Sequence, residues 1–239
     1  MGVSFIDDAP QIIKDYLFYM QTVKGKSQKT VDEYYIDLRT FFRFIKLQRG
    51  LVPEDAEFES ISIADVDLEL VKTVTLNDAY EFMNYIQRER NNQNVTRARK
   101  CSSLKGYFNY LTTKKCVLST NPVEQLEVPK KKKALPKYLT LEQSLELLNA
   151  VDGDYKERDY CILTLFLNCG LRVSEMASLN YTDIRQDNTL RVVGKGNKER
   201  VIYLNSACVS AIQNYMRVRP VDGVKDKYAL FISRNHRRM

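Results

Sequence analysis

The chain has 239 residues, of which 44% are hydrophobic, enough for one large domain or two small ones around a packed core. Its formal net charge of +7 favours a polyanionic partner, and five scattered cysteines without CxxC spacing argue against a disulfide framework or a zinc site. No signal peptide or membrane-spanning run is evident, so we expect a soluble, cytoplasmic protein without a membrane partner.

The charge is concentrated in particular segments, as a nucleic-acid footprint requires. Residues 51 to 71 include seven acidic residues and no basic one, whereas residues 88 to 115 include eight basic residues against Glu89 alone. The second segment is therefore the first candidate for contact with a polyanion.

The first part of the chain predicts four helices that form a compact bundle. Apolar residues recur at helical spacing in four stretches, which run through Ile12–Met20, Val31–Ile45, Ala79–Ile86 and Cys101–Leu111. Thr30 with Glu33, and Thr75 with Asp78, have the spacing of capping boxes that open the second and third helices. The acidic stretch between residues 51 and 72 is predicted to be irregular.

A basic segment bounded by prolines follows at residues 128–138, VPKKKKALPKY. Prolines disfavour a continuing helix and like charges extend the chain, so we predict a solvated linker, which could also lie along a phosphate backbone. The predicted organisation is a helical domain at 1–127, the linker at 128–138 and a second domain at 139–239.

The second domain predicts a mixture of helices and short strands. It opens on the Thr140-x-x-Gln143 capping box, and its expected helices are one with Leu141, Leu145 and Leu148 on one face, a buried helix at Tyr160–Cys169, a short helix at Val173–Leu179 and a helix through Val209, Ile212 and Met216. Its expected strands are a hairpin of Leu190–Val193 with Val201–Leu204, and a short strand at Tyr228–Ile232.

Two basic residues of this domain stand where phosphate chemistry could use them. Arg172 lies at a predicted helix start, and its planar guanidinium suits phosphate oxygens. Lys195 lies between Gly194 and Gly196 in the hairpin turn, where an ammonium could protonate a leaving oxygen. Each is a weak signal alone, since Arg172 could be a surface helix residue and the turn a solvated hairpin. The GxxxxGK[ST] pattern of a P-loop is absent.

Segments in both halves of the chain are similar to motifs of one protein family. They are GLRVSE at 170–175, LNYTDI at 179–184, VVGKGNKER at 192–200, SQKTVDEYYIDLRTFFRFI at 27–45 and NVTRARKCSSLKGYFNYL at 94–111. Together they resemble the tyrosine site-specific recombinases, the Xer and phage-integrase family. The resemblance implies a mostly α fold, with an N-terminal four-helix core-binding (SAM-like) domain and an α+β catalytic domain that has a small antiparallel β-sheet.

The resemblance also implies roles for individual residues. Arg172 would bind the scissile phosphate, Lys195 would protonate the leaving 5′ oxygen and Glu175 would orient its neighbours. Duplex DNA would be contacted by a set of basic residues, namely Lys29, Arg97, Arg99, Lys100, Lys105, Lys198 and Arg200. The reaction would pass through a 3′-phosphotyrosyl intermediate without a metal or cofactor, and we expect self-association or a recombinase partner on the DNA.

The family's other catalytic residues are expected downstream of the strand near Phe231. They are an HxxR box, a further His or Trp, and the nucleophilic tyrosine. The single histidine, His236, has Met239 rather than arginine at +3, and each of the fifteen tyrosines precedes the nucleophile region. We therefore expect a catalytic domain that is truncated at its C-terminus, exposes apolar surface on the Tyr160–Cys169 helix and cannot cleave DNA in cis.

Several interpretations stay open at this point. The chain could be cut short, could be a gene remnant or could be completed by another protomer. A noncatalytic DNA-binding remnant that occupies recombination sites is the alternative function. A third interpretation is an unrelated helical interaction module whose motif match is chance.

Overall fold

A computed structural model of the chain describes residues 9–128, 137–194 and 196–239. The chain falls into two compact units, residues 1–134 and residues 135–239. The fold is mostly helical with one small antiparallel sheet, which confirms the predicted fold class. Within the described ranges, no helix combines the length and the apolar character needed to cross a membrane.

The first unit is helical. Its described residues form α1 Gln11–Thr22, α2 Gln28–Gln48, α3 Leu68–Lys72, α4 Leu76–Arg88 and α5 Asn94–Thr113, with a 3-10 turn at Phe58–Ser60. The four predicted helices are confirmed as α1, α2, α4 and α5. The short α3 lies in the stretch predicted to be irregular, and it forms because the Asp67 side chain caps it by accepting from the Leu70 N–H at 2.8 Å.

One of the two predicted capping boxes in this unit is wrong. α2 begins at Gln28 rather than after Thr30, because Ser27 has extended backbone and its hydroxyl accepts from the Thr30 N–H. The box of Thr75 and Asp78 is confirmed, since each side chain accepts from the other's backbone N–H.

Aromatic rings fill the core of the first unit. The Phe41 ring of α2 meets the rings of Phe82 on α4 and Phe108 on α5 edge-on, with centroids 5.2 Å and 6.4 Å away. Such pairs contribute about 0.5–1.5 kcal/mol each beyond the burial of their area, so they help to hold α2, α4 and α5 together.

The second unit combines helices with the sheet. Its described residues form α6 Leu141–Asn149, α7 Lys156–Cys169, α8 Val173–Ser178, β1 Thr189–Val193, β2 Glu199–Tyr203 and α9 Ser206–Val218, with a 3-10 turn at Tyr181–Asp183. The Thr140–Gln143 capping box and the hairpin are confirmed. In the antiparallel pair of β1 and β2, Val192 lies opposite Arg200.

The prediction that Tyr160–Cys169 is a buried helix is wrong for most of its residues. The helix packs against α9 and, over a shorter length, against α6, so only Cys161, Thr164 and Leu165 are buried. Tyr160 and Leu167 are partly exposed, and apolar surface is therefore present on this helix as expected. The apolar face predicted for α6 is also uncovered, with Leu141 71% exposed.

The predicted strand at Tyr228–Ile232 is also wrong. This segment forms only isolated bridges, Asn180 with Ala229 and Ile232 with Arg238. The reason is that Arg219 takes the carbonyl oxygens that a ladder would use, with Nη2 donating to Ala229 at 2.6 Å and Nε to Leu230 at 3.1 Å.

Candidate nucleic-acid interface

Arg172 is exposed to solvent in the short link between α7 and α8. α7 ends at Cys169 and is followed by Gly170, whose left-handed backbone (φ 57°) a residue with a Cβ rarely adopts. Arg172 is then the N-cap residue of α8, which confirms its predicted place at a helix start, and its side chain is 70% exposed. The guanidinium is thus accessible to a ligand.

The buried carboxylate of Glu175 joins Arg172 to the hairpin. Glu175 is 2% exposed and accepts four hydrogen bonds, two on each oxygen. The backbone N–H of Arg172 donates to Oε2 at 2.9 Å, and its Nη1 donates to Oε1 at 2.8 Å. Arg200 on β2 donates with both terminal nitrogens, Nη1 to Oε1 at 2.9 Å and Nη2 to Oε2 at 2.8 Å. One anion therefore holds both the start of α8 and β2.

These hydrogen bonds determine the charge state of Glu175. The hydrogen bond from Arg200 is the largest influence and, with the donors of Arg172, holds the pKa of the Glu175 carboxyl far below its ordinary value of 4.5, although burial acts in the opposite direction. The same pairing raises the pKa of Arg200. Glu175 is therefore ionised at neutral pH and is suited to orienting arginines rather than to transferring a proton.

The turn of the hairpin brings its backbone close to Glu175. The Gly194 N–H donates to the carbonyl of Lys198 at 2.8 Å, and a Cβ on Gly194 would lie 3.0 Å from Oε1 of Glu175. Gly196 has φ 77° in open space, and Lys198 is exposed. Lys195 lies outside the described residues, so its role as proton donor stays a prediction.

Lys100 requires a correction. It is 6% exposed, and its Nζ donates to Oδ1 of the fully buried Asp37 at 3.0 Å. Arg99 Nη1 and the Ser103 hydroxyl donate to Oδ2 of the same carboxylate at 2.5 Å and 2.7 Å. Burial lowers the pKa of Lys100 even though Asp37 raises it. The predicted DNA contact of Lys100 is wrong, because the side chain is enclosed where it neutralises Asp37.

The other basic residues predicted to contact DNA are at least partly accessible. Lys29 is exposed, and Arg99 keeps a third of its side chain exposed beside Asp37. Arg97 donates to Oδ1 of Asn94 at 2.6 Å, and Lys105 donates to the carbonyl of Leu126 at 3.0 Å. Their DNA contacts stay predictions.

The partner of Lys100, Asp37, is the residue that sequence reasoning missed. Asp37 sits in the YYIDLRTFF stretch of α2, directly before the buried Leu38. An acid within an otherwise apolar helical stripe is a signal for a buried charge that needs a basic partner. The eight basic residues between 88 and 115 therefore include one that belongs to the core.

Comparisons with known proteins extend these observations. Residues 137–239 match the phage integrase family. Tyrosine recombinase XerC of Caldanaerobacter subterraneus subsp. tengcongensis is 51% identical over 230 residues, which cover 96% of this chain and 65% of that protein. Tyrosine recombinase XerC of Chlamydia muridarum is 31% identical over 229 residues, which cover 94% of this chain and 72% of that protein. The chain thus spans between 65% and 72% of the length of these curated relatives.

Solved structures share the fold at lower identity. The Tn1549 transposon integrase in complex with transposon right end DNA has a TM-score of 0.65 at 21% identity, covering 95% of this chain and 73% of that one. A lambda integrase dimer bound to a COC′ core site has a TM-score of 0.62 at 18% identity, covering 95% and 74%. The chain shares the fold of these structures, and its sequence is similar to that of tyrosine recombinase XerC over most of the chain. It therefore belongs to the phage integrase family of tyrosine recombinases.

Proposed function

We propose that the chain binds duplex DNA as part of a recombinase that cuts and rejoins DNA at specific sites through a 3′-phosphotyrosyl intermediate. The observation that carries this proposal is the exposed guanidinium of Arg172, whose backbone the buried Glu175 holds in place. The Tn1549 integrase and lambda integrase are bound to DNA in their structures, which supports the same partner. A second recombinase on the DNA is part of the proposal, since lambda integrase is a dimer on its core site.

Arg172 is suited to the phosphate. Attack on a phosphodiester builds negative charge on the nonbridging oxygens, and a guanidinium can donate to two of them while it stays charged at any workable pH. Glu175 receives one terminal nitrogen of Arg172. Because the side chain is mostly exposed, the remaining N–H groups can be offered to DNA.

Lys195 is proposed to protonate the leaving 5′ oxygen. The proposal rests on the GKGNKER motif and on the hairpin that flanks this residue, where β1 and β2 pair up to Val193 and Glu199. A lysine in such a turn can supply the proton if the DNA holds its ammonium near the leaving oxygen.

We further propose that the chain as given forms no covalent bond to DNA. It carries Arg172 and Lys195, but each of its fifteen tyrosines precedes the motif position of the nucleophile. Tyr215 illustrates the structural role of one of them, since it is buried and its hydroxyl accepts from the Ile232 N–H at 3.1 Å. Phosphate binding alone cannot replace a missing nucleophile.

Duplex binding tests the first proposal. We expect the affinity for a fluorescein-labelled duplex of mixed sequence, measured by anisotropy, to fall linearly with salt on a log–log plot, with a slope of about −0.9 per phosphate neutralised. Arg172→Ala should make this slope less steep, by the amount that corresponds to about one neutralised phosphate. Arg185→Ala, which removes an exposed arginine of the same unit, controls for the loss of charge. Absent or salt-independent binding would contradict the DNA partner.

A suicide substrate tests the second proposal. A nicked duplex that traps a covalent intermediate should give no protein–DNA adduct on a denaturing gel with this polypeptide. A 3′-phosphotyrosyl adduct would show that one of its tyrosines is a nucleophile after all.

A noncatalytic DNA-binding remnant that occupies recombination sites is the second candidate function. The exposed guanidinium of Arg172 supports this candidate as well, since it can bind a DNA phosphate whether or not a nucleophile is present. Sequencing beyond the codon for Met239 separates the candidates. An open frame that encodes an HxxR box and a tyrosine favours the recombinase, and a stop codon favours the remnant.

A further inference from the structure

Arg200 has a contact that a DNA-binding role does not explain. The motif implies that it touches the DNA backbone, but both of its terminal nitrogens donate to Glu175, and it is 38% exposed against 70% for Arg172. We propose that Arg200 is a positioning residue: it neutralises Glu175 and so leaves the guanidinium of Arg172 free for a DNA phosphate. This inference rests on the proposed binding of DNA by Arg172.

The burial of Glu175 explains why a second arginine is needed. An ionised carboxylate enclosed by protein is strongly unfavourable unless its charge and hydrogen-bonding sites are satisfied. If Arg172 were its only counter-ion, a phosphate that drew Arg172 away would leave this anion uncompensated. Because Arg200 covers both oxygens, Arg172 can turn to a phosphate at the loss of one hydrogen bond.

Arg172 and Arg200 bind Glu175 with different geometry, as the proposed roles of phosphate binding and neutralisation require. Arg172 gives Glu175 a single side-chain nitrogen, whereas Arg200 pairs in the two-pronged geometry that fits a carboxylate best. The backbone bond from Arg172 to Oε2 keeps the start of α8 in place throughout.

The same ion pair connects the hairpin to α8. Arg200 is the second residue of β2 and lies opposite Val192 of β1. At Gly194 an added Cβ would lie 3.0 Å from Oε1 of Glu175 and 3.7 Å from Nη1 of Arg200, so the turn starts in close contact with the pair. Arg200 therefore ties the turn of the proposed proton donor to the residue that binds the phosphate.

A double-mutant cycle on DNA affinity tests the proposal in the full chain. Arg200→Ala should weaken binding of the labelled mixed-sequence duplex by about threefold to tenfold, but by less than about twofold when Arg172 is already alanine, because Arg200 acts through Arg172. Lys198→Ala, on the same turn and exposed, should weaken binding equally in both backgrounds. Losses from Arg200→Ala that add to those from Arg172→Ala would identify a direct phosphate contact and overturn the proposal.

Arg200→Lys separates the geometry of the pair from its charge, and only variants that show a cooperative urea transition are compared, so that a variant that fails to fold is excluded. Lysine keeps the positive charge but cannot make the two-pronged pair, so a positioning role predicts little rescue of affinity. A direct backbone contact predicts affinity close to that of the unchanged chain, and that result would also overturn the proposal. If the unchanged chain does not bind duplex DNA, the proposed function fails, and this inference fails with it.

The pH dependence of unfolding supplies a readout without DNA. Glu175 has its pKa lowered in the folded chain, so its stabilising effect is present above the ordinary carboxyl value of 4.5 and is lost as the pH falls below it. Arg200→Ala should raise that pKa, because Arg200 is its largest cause. The gap in urea midpoint between the unchanged chain and the variant should therefore narrow below pH 4.5. A gap that does not change with pH would show a purely steric role.

Discussion

At the scale of single residues, one carboxylate of the second unit joins the start of α8 to β2. Glu175 is enclosed by protein and receives every hydrogen bond that its two oxygens need, from Arg172 and Arg200. A buried charge in this state contributes little net stability by itself, but removal of a partner is costly because the charge left behind cannot be hydrated. The hydrogen bonds of Glu175 therefore fix the positions of Arg172 and Arg200 more than they add to the stability of the fold.

The first unit contains a comparable charge at Asp37. Asp37→Ala would leave Lys100 buried without its counter-ion, so we expect a loss of about 3–5 kcal/mol in the free energy of unfolding, measured by urea denaturation. Asp32→Ala is the matched control on the same helix, where the side chain accepts a hydrogen bond from Gln28 near the surface. This change should alter the free energy of unfolding by less than about 0.5 kcal/mol. A loss below about 1 kcal/mol for Asp37→Ala would show that Lys100 reaches solvent.

The cysteines differ in reactivity for a related reason. Burial raises the pKa of the Cys161 and Cys169 thiols to about 12, so we expect both to react slowly at about pH 8. Cys116 is exposed. Iodoacetamide followed by peptide mass spectrometry should label Cys116 well before the other two. Equal labelling of Cys161 and Cys116 in the native chain would contradict the burial of Cys161.

At the scale of elements, the hairpin and α8 are joined by close contact. A methyl group on Gly194 would lie 3.0 Å from Oε1 of Glu175, and that oxygen cannot withdraw easily because Arg172 and Arg200 both hold it. We expect Gly194→Ala to lower the free energy of unfolding by about 1–3 kcal/mol in urea denaturation.

The matched control lies two residues further on. Gly196→Asn changes the same turn in open space, and asparagine tolerates the left-handed backbone, so its cost should stay below about 1 kcal/mol. If the two variants were equally stable, the contact between the turn and Glu175 would not constrain the hairpin.

Some helices can be predicted from the sequence pattern alone, whereas other features cannot. α2 and α5 follow from apolar residues repeated at helical spacing, because that spacing is a local property of the chain. The capping pattern at Thr30 places the start of α2 too late, because Ser27 also has a side chain that can cap the helix and is the residue that does so. The strand predicted at Tyr228–Ile232 does not form, because Arg219, which follows α9, donates hydrogen bonds to carbonyl oxygens of this segment. The sequence around the segment does not show this contact.

At the scale of the whole molecule, the chain is two units with separate cores. One core is formed by α1, α2, α4 and α5 with the chain around them, and the other by α7, α8, α9 and the hairpin. The predicted linker at 128–138 overlaps the boundary between the units, but residues 129–136 lie outside those that the structure describes. The linker therefore stays a prediction from its prolines and lysines.

Limited proteolysis tests that organisation. Five lysines lie between residues 128 and 138, so trypsin at low ratio should first cut there and release two fragments that correspond to the two units. Mass spectrometry identifies the cut sites, and a denatured sample shows the pattern of unrestricted cleavage. Early cuts within α2 or α5 rather than in the lysine run would contradict the two-unit organisation.

The sequence by itself determined the family, the helical fold class, the hairpin and the place of Arg172 at a helix start, because motifs and periodicity are local along the chain. Only the tertiary structure decided the partners of the charged residues. Lys100 is 63 residues from Asp37 in the sequence, and Arg200 is 25 residues from Glu175. Neither pair has a short sequence spacing from which the contact could be predicted. Lys100, predicted to contact DNA, instead forms an ion pair with Asp37 in the core, because a buried charge is strongly unfavourable unless a partner neutralises it.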